Sequence, residues 1–320
     1  FGSSWTNGKP TFLVLYFVWR QHMMAHRSLF VFAVSSSLWL SSSAATVVVT
    51  GAGKFDTAEE LLPDGGAVLT GQASVDELSS VDGKSTNAEA ASSISFSSCA
   101  AEFVAMTLFV ILGPGSAIGI AKTEGSAWVL QVSLTFGFAI ATLAYAFSTY
   151  SNQINCAVTF GLVLVGNISV WQGLLNFVAQ MLGTVLGAVI LTLMYPEEKD
   201  CTQGLGSNGV GEGWSYGNAL VGEFMMTFLL VFTVLQTAVN SDFDYSSMAC
   251  FAIGLAVFLG HSLLIPIDGC SINPTRSFGP ALVAWITGRK KDTFQDMWVF
   301  WVGPLAGAAA AAGVYKLFGA

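Results

Sequence analysis

The chain has 320 residues, of which 53% are hydrophobic and only 10% are charged. Because soluble domains carry about 25% charged residues, we expect most of this chain to lie in a membrane rather than in water. The net charge of −8 is not matched by any basic cluster that predicts a nucleic-acid partner. The five cysteines lack the CxxC spacing of a zinc site, so the sequence predicts no metal centre.

Residues 1–97 differ in composition from the rest of the chain. A basic start near Met23 is followed by an apolar run and then by small residues, which predicts a targeting or signal segment, or an N-terminal extension, over residues 1–50. An uncleaved hydrophobic anchor stays open as an alternative, because residues 44–50 lengthen the apolar run. Residues 51–97 are rich in Ser, Gly, Ala and Asp without periodicity, so we expect a disordered polar linker there.

Residues 98–320 contain six apolar runs, each near the roughly 20 residues that a helix needs to cross a bilayer. The predicted spans run from about Cys99–Ile118, Ala127–Phe147, Trp171–Tyr195, Asn218–Val239, Ser247–Ile267 and Met297–Phe318. The runs carry few charges, and Glu102 and Glu223 each lie near the start of one. We therefore expect an integral, multi-pass membrane domain, in the plasma membrane or in an endomembrane that is reached by the secretory route.

The two halves of this domain, about residues 98–195 and 217–318, repeat one pattern. Glu102 and Asn155 in the first half match Glu223 and Asn273 in the second, at nearly equal offsets along the chain. Each half has three predicted spans, and an odd number inserts the second half upside down relative to the first. Inverted repeats with interrupted helices place their site near the bilayer midplane.

Two short apolar segments, 157–165 and 275–285, follow Asn155 and Asn273. Each has about ten residues and is too short to cross a bilayer as a helix. Asparagine is a good N-cap, and Pro274 suits the first position of a helix. Two such half-helices that meet end to end would direct two partial positive charges at one central point, which disfavours a cation or an excess proton.

The two asparagine boxes read Asn155-Cys156-Ala157 and Asn273-Pro274-Thr275, and the second lies in the longer stretch Gly-Cys-Ser-Ile-Asn-Pro-Thr-Arg-Ser-Phe-Gly-Pro. With one glutamate per half, these residues resemble the aquaporins of the major intrinsic protein family over about residues 98–318. The resemblance implies an all-α membrane protein with six transmembrane helices and two re-entrant half-helices in an inverted repeat. It further implies a channel rather than an enzyme, no cofactor, and a homotetramer in the lipid bilayer.

The resemblance also implies a second narrowing of the pore, formed by Phe136, His261, Cys270 and Arg276. Phe136 and His261 fill space, so the opening is expected to be about one water molecule wide, and Arg276 adds a positive charge that disfavours cations. This set is similar to that of the water-selective members of the family. By the same resemblance, the two glutamates are expected to support the loops before the half-helices.

Two residues depart from the Asn-Pro-Ala pattern of the family. Thr275 stands where alanine is usual, and Cys156 replaces proline, which leaves a backbone N–H and removes the fixed φ angle at the start of the helix. Asn155 can still cap that helix. We also expect Cys156 and Cys270 to be thiols near the pore.

The sequence predicts a passive water channel that excludes protons and ions. The two asparagine amides donate hydrogen bonds to water, and the carbonyls of Ile154 and Ile272 accept them. Three alternatives remain at this stage. They are a channel for hydrogen peroxide, urea, ammonia or glycerol, an ion-coupled transporter, and a closed-pore structural membrane protein.

Overall fold

Eight α-helices and their connecting loops make up the part of the chain that the structure, a computed structural model, describes: residues 94–242 and 246–319. The helices are α1 (Phe96–Ile118), α2 (Trp128–Ala146), α3 (Cys156–Val165), α4 (Val170–Met194), α5 (Tyr216–Val234), α6 (Ala249–Asp268), α7 (Pro274–Ile286) and α8 (Val299–Leu317). The predicted targeting segment and nearly all of the predicted linker lie outside the described residues.

The six long helices lie within a few residues of the predicted spans, and a π-helical turn, Leu235–Val239, continues α5. The two short helices, α3 and α7, follow the two asparagines. By length and composition, five of the long helices can cross a membrane; α8 is the exception among the six. It has 19 residues, but its glycines, alanines and Lys316 make it less apolar than the others.

Polar side chains define where several long helices begin. The Ser95 hydroxyl accepts a hydrogen bond from the Ser98 amide at the start of α1, and Ser169 accepts from the amide of Gln172 at the start of α4. Ser215 and Asn218 form a reciprocal pair at the start of α5. Such caps satisfy amide groups that have no partner within the helix.

The long helices pack in pairs that repeat between the halves: α1 on α4, α5 on α8, and α2 on α6. Glycines allow the close contacts. Gly183 of α4 lies against the backbone of Phe103 in α1, and Gly307 of α8 lies against the backbone of Phe224 in α5. Small residues of this kind let helices approach closely where lipid removes the hydrophobic driving force.

Each short helix packs mainly on a long helix of the opposite half, α3 on α8 and α7 on α4. At the second contact, Gly279 of α7 leaves no room for a side chain beside Thr184 of α4. At the first, the ammonium group of Lys316 in α8 donates to the carbonyl of Leu164 near the end of α3, at 2.7 Å. The two halves are therefore joined by an exchange of their short helices.

The glycine contact between α5 and α8 can be tested with two substitutions in one helix. In Gly307→Ala, the new methyl group would lie 3.0 Å from the Phe228 amide nitrogen and closer still to the Phe224 carbonyl oxygen. We expect a loss of about 1–3 kcal/mol in the free energy of unfolding. Gly313→Ala is the control, since a methyl group there meets nothing within 4 Å. Thermal unfolding in detergent measures both; equal stability would contradict the packing described.

Candidate functional site

The side chain that caps each short helix is the asparagine predicted from the sequence. The Asn155 oxygen accepts a hydrogen bond from the Ala157 amide at 2.8 Å. The Asn273 oxygen accepts from the Arg276 amide at 3.3 Å and from the Thr275 hydroxyl at 2.5 Å. Both asparagines have extended backbone conformations, as N-caps do. Their oxygen atoms are thus committed to the helices that they begin.

The two asparagine amide nitrogens cross between the halves. Nδ2 of Asn155 donates to the carbonyl of Ile272, and Nδ2 of Asn273 donates to the carbonyl of Ile154, each at 2.8 Å. An amide nitrogen carries two hydrogens, so one N–H of each asparagine remains. The two carbonyls were expected to accept from water; the structure gives each of them the opposite asparagine as a donor, and leaves one lone pair on each.

A buried glutamate holds the loop before Asn155. Ile154 has a φ of +54°, which a β-branched residue adopts only under constraint. Glu102 accepts hydrogen bonds from the amides of Gln153 and Ile154, at 2.7 and 2.8 Å. The side chains of Ser151 and Gln180 donate to the same carboxylate. These four bonds fix the backbone that presents the Ile154 carbonyl to the second half.

Glu223 holds the corresponding loop of the second half. It accepts hydrogen bonds from the amides of Ser271 and Ile272, at 2.6 Å each. Ile272 has a φ of +45°, as constrained as its counterpart in the first half. Strained backbone of this kind costs about 1–3 kcal/mol per residue and persists only where the surroundings impose it. In both halves a carboxylate with two backbone donors provides that constraint.

Three of the four residues of the predicted narrowing lie together: Phe136 stacks on His261, and Arg276 lies over the ring of Phe136. The rings of Phe136 and His261 stack with 3.8 Å between centroids, and the Arg276 guanidinium lies 5.0 Å from the Phe136 centroid. Nδ1 of His261 lies 2.9 Å from the Val257 carbonyl, so it must donate, and Nε2 is left as an acceptor. Nη1 of Arg276 donates to the Gly206 carbonyl at 2.9 Å.

The two predicted thiols are buried. Cys270 is 0% exposed and has a φ of +54°, and its amide donates to the Asp268 carboxylate at 2.9 Å. Cys156 is 6% exposed, and its thiol lies against Thr275. The two departures from the Asn-Pro-Ala pattern therefore contact each other across the junction of the short helices.

A cavity of about 140 Å³ has Asn155, Asn273 and His261 among its lining residues. Its walls are mainly apolar side chains such as Val158 and Leu230. A cavity needs about 10–15 Å³ of such volume to hold one water, and a water in the liquid takes about 30 Å³, so this cavity has room for a short file. Phe136, Cys270 and Arg276 do not line it.

Three residues at this site were missed in the sequence. The carbonyl of Gly206 holds Arg276, but no pattern connects them along the chain. Cys250 lines the cavity, although it resembles any other cysteine in an apolar run. Gln153 accepts from Thr159 and Asn176 and so joins the first loop to α3 and α4. Within the described residues there is no group of three or more His, Cys, Asp and Glu placed to hold a metal.

A family model described as Major intrinsic protein matches residues 89–315. The chain belongs to the major intrinsic protein family. Members of this family are membrane channels and not enzymes, and the chain is an integral, multi-pass membrane protein. The predicted relation to the aquaporins is confirmed by its relatives among characterised proteins.

This major intrinsic protein is 37% identical to aquaporin-4 of Homo sapiens over 219 residues, which are 68% of the chain and 65% of the relative. It is 38% identical to aquaporin-1 of Homo sapiens over 221 residues, which are 67% of the chain and 79% of the relative. The chain thus spans about 65% of the length of the aquaporin-4 relatives.

A solved structure, the aquaglyceroporin from Plasmodium falciparum, has the same fold. The match has a TM-score of 0.61 and covers 69% of this chain and 94% of that one, at 21% sequence identity. The predicted fold class, an all-α aquaporin-like membrane protein, is therefore confirmed.

The constraint on the second loop can be tested with Glu223→Gln. The glutamine oxygen can accept from one of the two backbone amides, but its NH₂ group faces the other and leaves that amide unsatisfied. We expect a loss of about 1–3 kcal/mol in the free energy of unfolding. Glu124→Gln in an exposed loop is the matched control and should unfold as the parent does. Unfolding of the purified proteins in detergent is the measurement, and a stable Glu223→Gln protein would contradict the constraint.

Proposed function

We propose that this protein is a passive channel that conducts water and excludes protons and ions. The observation that carries the proposal is the crossed pair of asparagine amides in the wall of a cavity of about 140 Å³. The Asn155 side-chain amide has two hydrogen-bonding partners and that of Asn273 has three, and each still has one N–H to offer. The family relation to aquaporin-1 and aquaporin-4 supports the same function.

Proton exclusion follows from how the two remaining N–H groups act on one water molecule. A water oxygen that accepts from both Asn155 and Asn273 uses both of its lone pairs. Its own hydrogens then point away from the centre in both directions. Such a water cannot accept a proton from a neighbour, so a proton cannot be handed along the file.

Ion exclusion follows from charge. The helices α3 and α7 both direct their N-termini at the asparagine pair, which places two partial positive charges there. Arg276 adds a full charge, and it is only 3% exposed. A cation would therefore lose its hydration shell and meet positive charge at the same depth.

Solute size is set by the stacked rings of Phe136 and His261. Beside them lies the guanidinium of Arg276, 5.0 Å from the Phe136 centroid. We therefore propose selectivity for water over glycerol. A channel for hydrogen peroxide, urea or ammonia, and a closed-pore structural protein, are the other outcomes of the measurement below. We further propose that the protein assembles as a homotetramer, as its family membership indicates.

Osmotic permeability of proteoliposomes tests the proposed function. Stopped-flow light scattering should show water permeability well above that of empty liposomes, with no increase in glycerol or urea permeability. Conductance across the same membranes should stay at the level of empty membranes. Water flux equal to that of empty liposomes, in protein that is folded and inserted, would contradict the proposal.

His261→Ala should widen the narrowing. The substitution removes the ring that stacks on Phe136, so we expect glycerol permeability to rise about tenfold or more, the factor that corresponds to a barrier lower by roughly 1.4 kcal/mol. Ser262→Ala is the control, because this neighbour in α6 is exposed and bonds only to its own helix. A glycerol permeability that stays at the parent value would exclude His261 from the narrowing.

Mercurial reagents distinguish the thiols. Cys250 lines the cavity, whereas Cys156 and Cys270 are buried and do not line it. We expect the Cys156→Ser, Cys270→Ser double variant to keep part of the block of water flux, and the triple variant with Cys250→Ser to lose it. For each variant, stopped-flow light scattering measures the water flux before the reagent, after it, and again after a reductant has removed the mercurial. A complete loss of block in the double variant would show that Cys250 does not face the water path.

A further inference from the structure

Arg276 of the predicted narrowing is held from outside its own helix by the loop between α4 and α5, residues 195–215. Its Nη1 donates to the Gly206 carbonyl at 2.9 Å, while its Nε is buried without a partner among the described residues. Gly206 has a φ of +70°, and a methyl group there would lie 3.0–3.2 Å from atoms of Pro114. The position of this one carbonyl therefore depends on how the loop is folded.

Asp200 folds the loop around Gly206. One carboxylate oxygen accepts from the amide and the hydroxyl of Thr202, at 2.9 and 2.5 Å, and the other accepts from the Leu205 amide at 2.8 Å. The Thr202 hydroxyl in turn accepts from the Gly206 amide at 2.8 Å. Leu205 has a φ of +56°, so the carboxylate holds the loop in a conformation that the chain alone disfavours.

Arg289, between α7 and α8, closes the arrangement. Its Nη1 lies 3.6 Å from the same Asp200 oxygen that accepts from the Leu205 amide, and its Nη2 donates to the Tyr195 carbonyl at 2.8 Å. The side chains of Arg289 and Asp200 are only 6% and 1% exposed. A buried ion pair seldom adds net stability, because desolvation offsets the attraction, but removing one partner is costly. Such a pair is better explained by the geometry that it imposes.

We propose that Asp200 and Arg289 are positioning residues for the selectivity of the pore: through the loop, they fix the Gly206 carbonyl that holds Arg276 against Phe136. The inference rests on the proposed channel function. Neither residue reaches the narrowing. Their effect is on where the guanidinium lies, and hence on which solutes pass, rather than on whether water passes.

Three variants distinguish the role of Asp200 from that of Arg289. In Asp200→Asn, an NH₂ group takes one of the two oxygen positions, and either the Leu205 amide or Thr202 loses its acceptor. Arg289→Met leaves those loop bonds in place but removes the countercharge. Arg289→Lys keeps the charge and cannot hold Asp200 and Tyr195 with one planar group. We therefore expect Asp200→Asn and Arg289→Met to alter selectivity most, and Arg289→Lys to restore part of it.

The measured quantity is the ratio of glycerol to water permeability in proteoliposomes, normalised to the amount of folded, inserted protein. We expect this ratio to rise about tenfold in Asp200→Asn, the factor for losing one hydrogen bond to a charged group. Two controls match the changes. Lys291→Met removes an exposed charge of the same loop as Arg289, and Lys316→Met removes a charge-assisted hydrogen bond that is unrelated to Arg276. Both should keep the parent ratio.

Two outcomes would overturn the inference. One is a parent protein that conducts water selectively together with an Asp200→Asn protein of unchanged ratio. The other is an equal loss of all fluxes in Asp200→Asn and Lys316→Met, which would indicate a merely structural role. A parent that conducts no water would instead contradict the proposed function. In that case a cryo-EM structure of the Asp200→Asn protein tests the inference by itself. The inference requires the Arg276 guanidinium to leave the Gly206 carbonyl, so an unchanged contact would refute it.

Discussion

The pair of crossed hydrogen bonds between each asparagine amide and the opposite isoleucine carbonyl is the interaction on which the site depends. It joins two loops that are far apart in sequence, and it uses groups that would otherwise be buried without partners. Each of its carbonyls lies on a backbone with positive φ, and each of these backbones is held by a glutamate from the first helix of its half. Without the glutamates the carbonyls would not face the asparagines, and without the asparagines the short helices would not meet end to end.

Much of this arrangement could be predicted from the sequence because it depends on local chemistry and on the repeat. Hydropathy located the six long helices, and short apolar segments after an asparagine located α3 and α7. The contact between Arg276 and Gly206 could not be predicted, because the loop that supplies Gly206 has no periodicity and only the packing of the helices brings it close. The role of Cys250 was missed for a related reason: an apolar run does not show which of its faces lines a cavity rather than lipid.

The two halves share the same arrangement of glutamate, loop and asparagine, and they differ in the residues around it. Around Glu102 the neighbours are uncharged, namely Ser151 and Gln180, and they complete its hydrogen bonds. On the side of the second half, charged residues gather: Arg276 is held by a loop whose fold depends on the buried pair of Asp200 and Arg289. The repeat thus provides symmetry at the two asparagines and asymmetry in the residues around Arg276.

The exchange of short helices between the halves has a consequence for how the chain matures. While the chain is being synthesised from its N-terminus, the helix that follows Asn155 can pack on α4 and α5, but it lacks its largest packing surface and the Lys316 contact until α8 has been made. The first three spans can insert into the bilayer, but the packing around the centre of the conduit is complete only once α8 has been made. Truncation near the C-terminus would therefore be felt at the middle of the pore, many residues earlier in the chain.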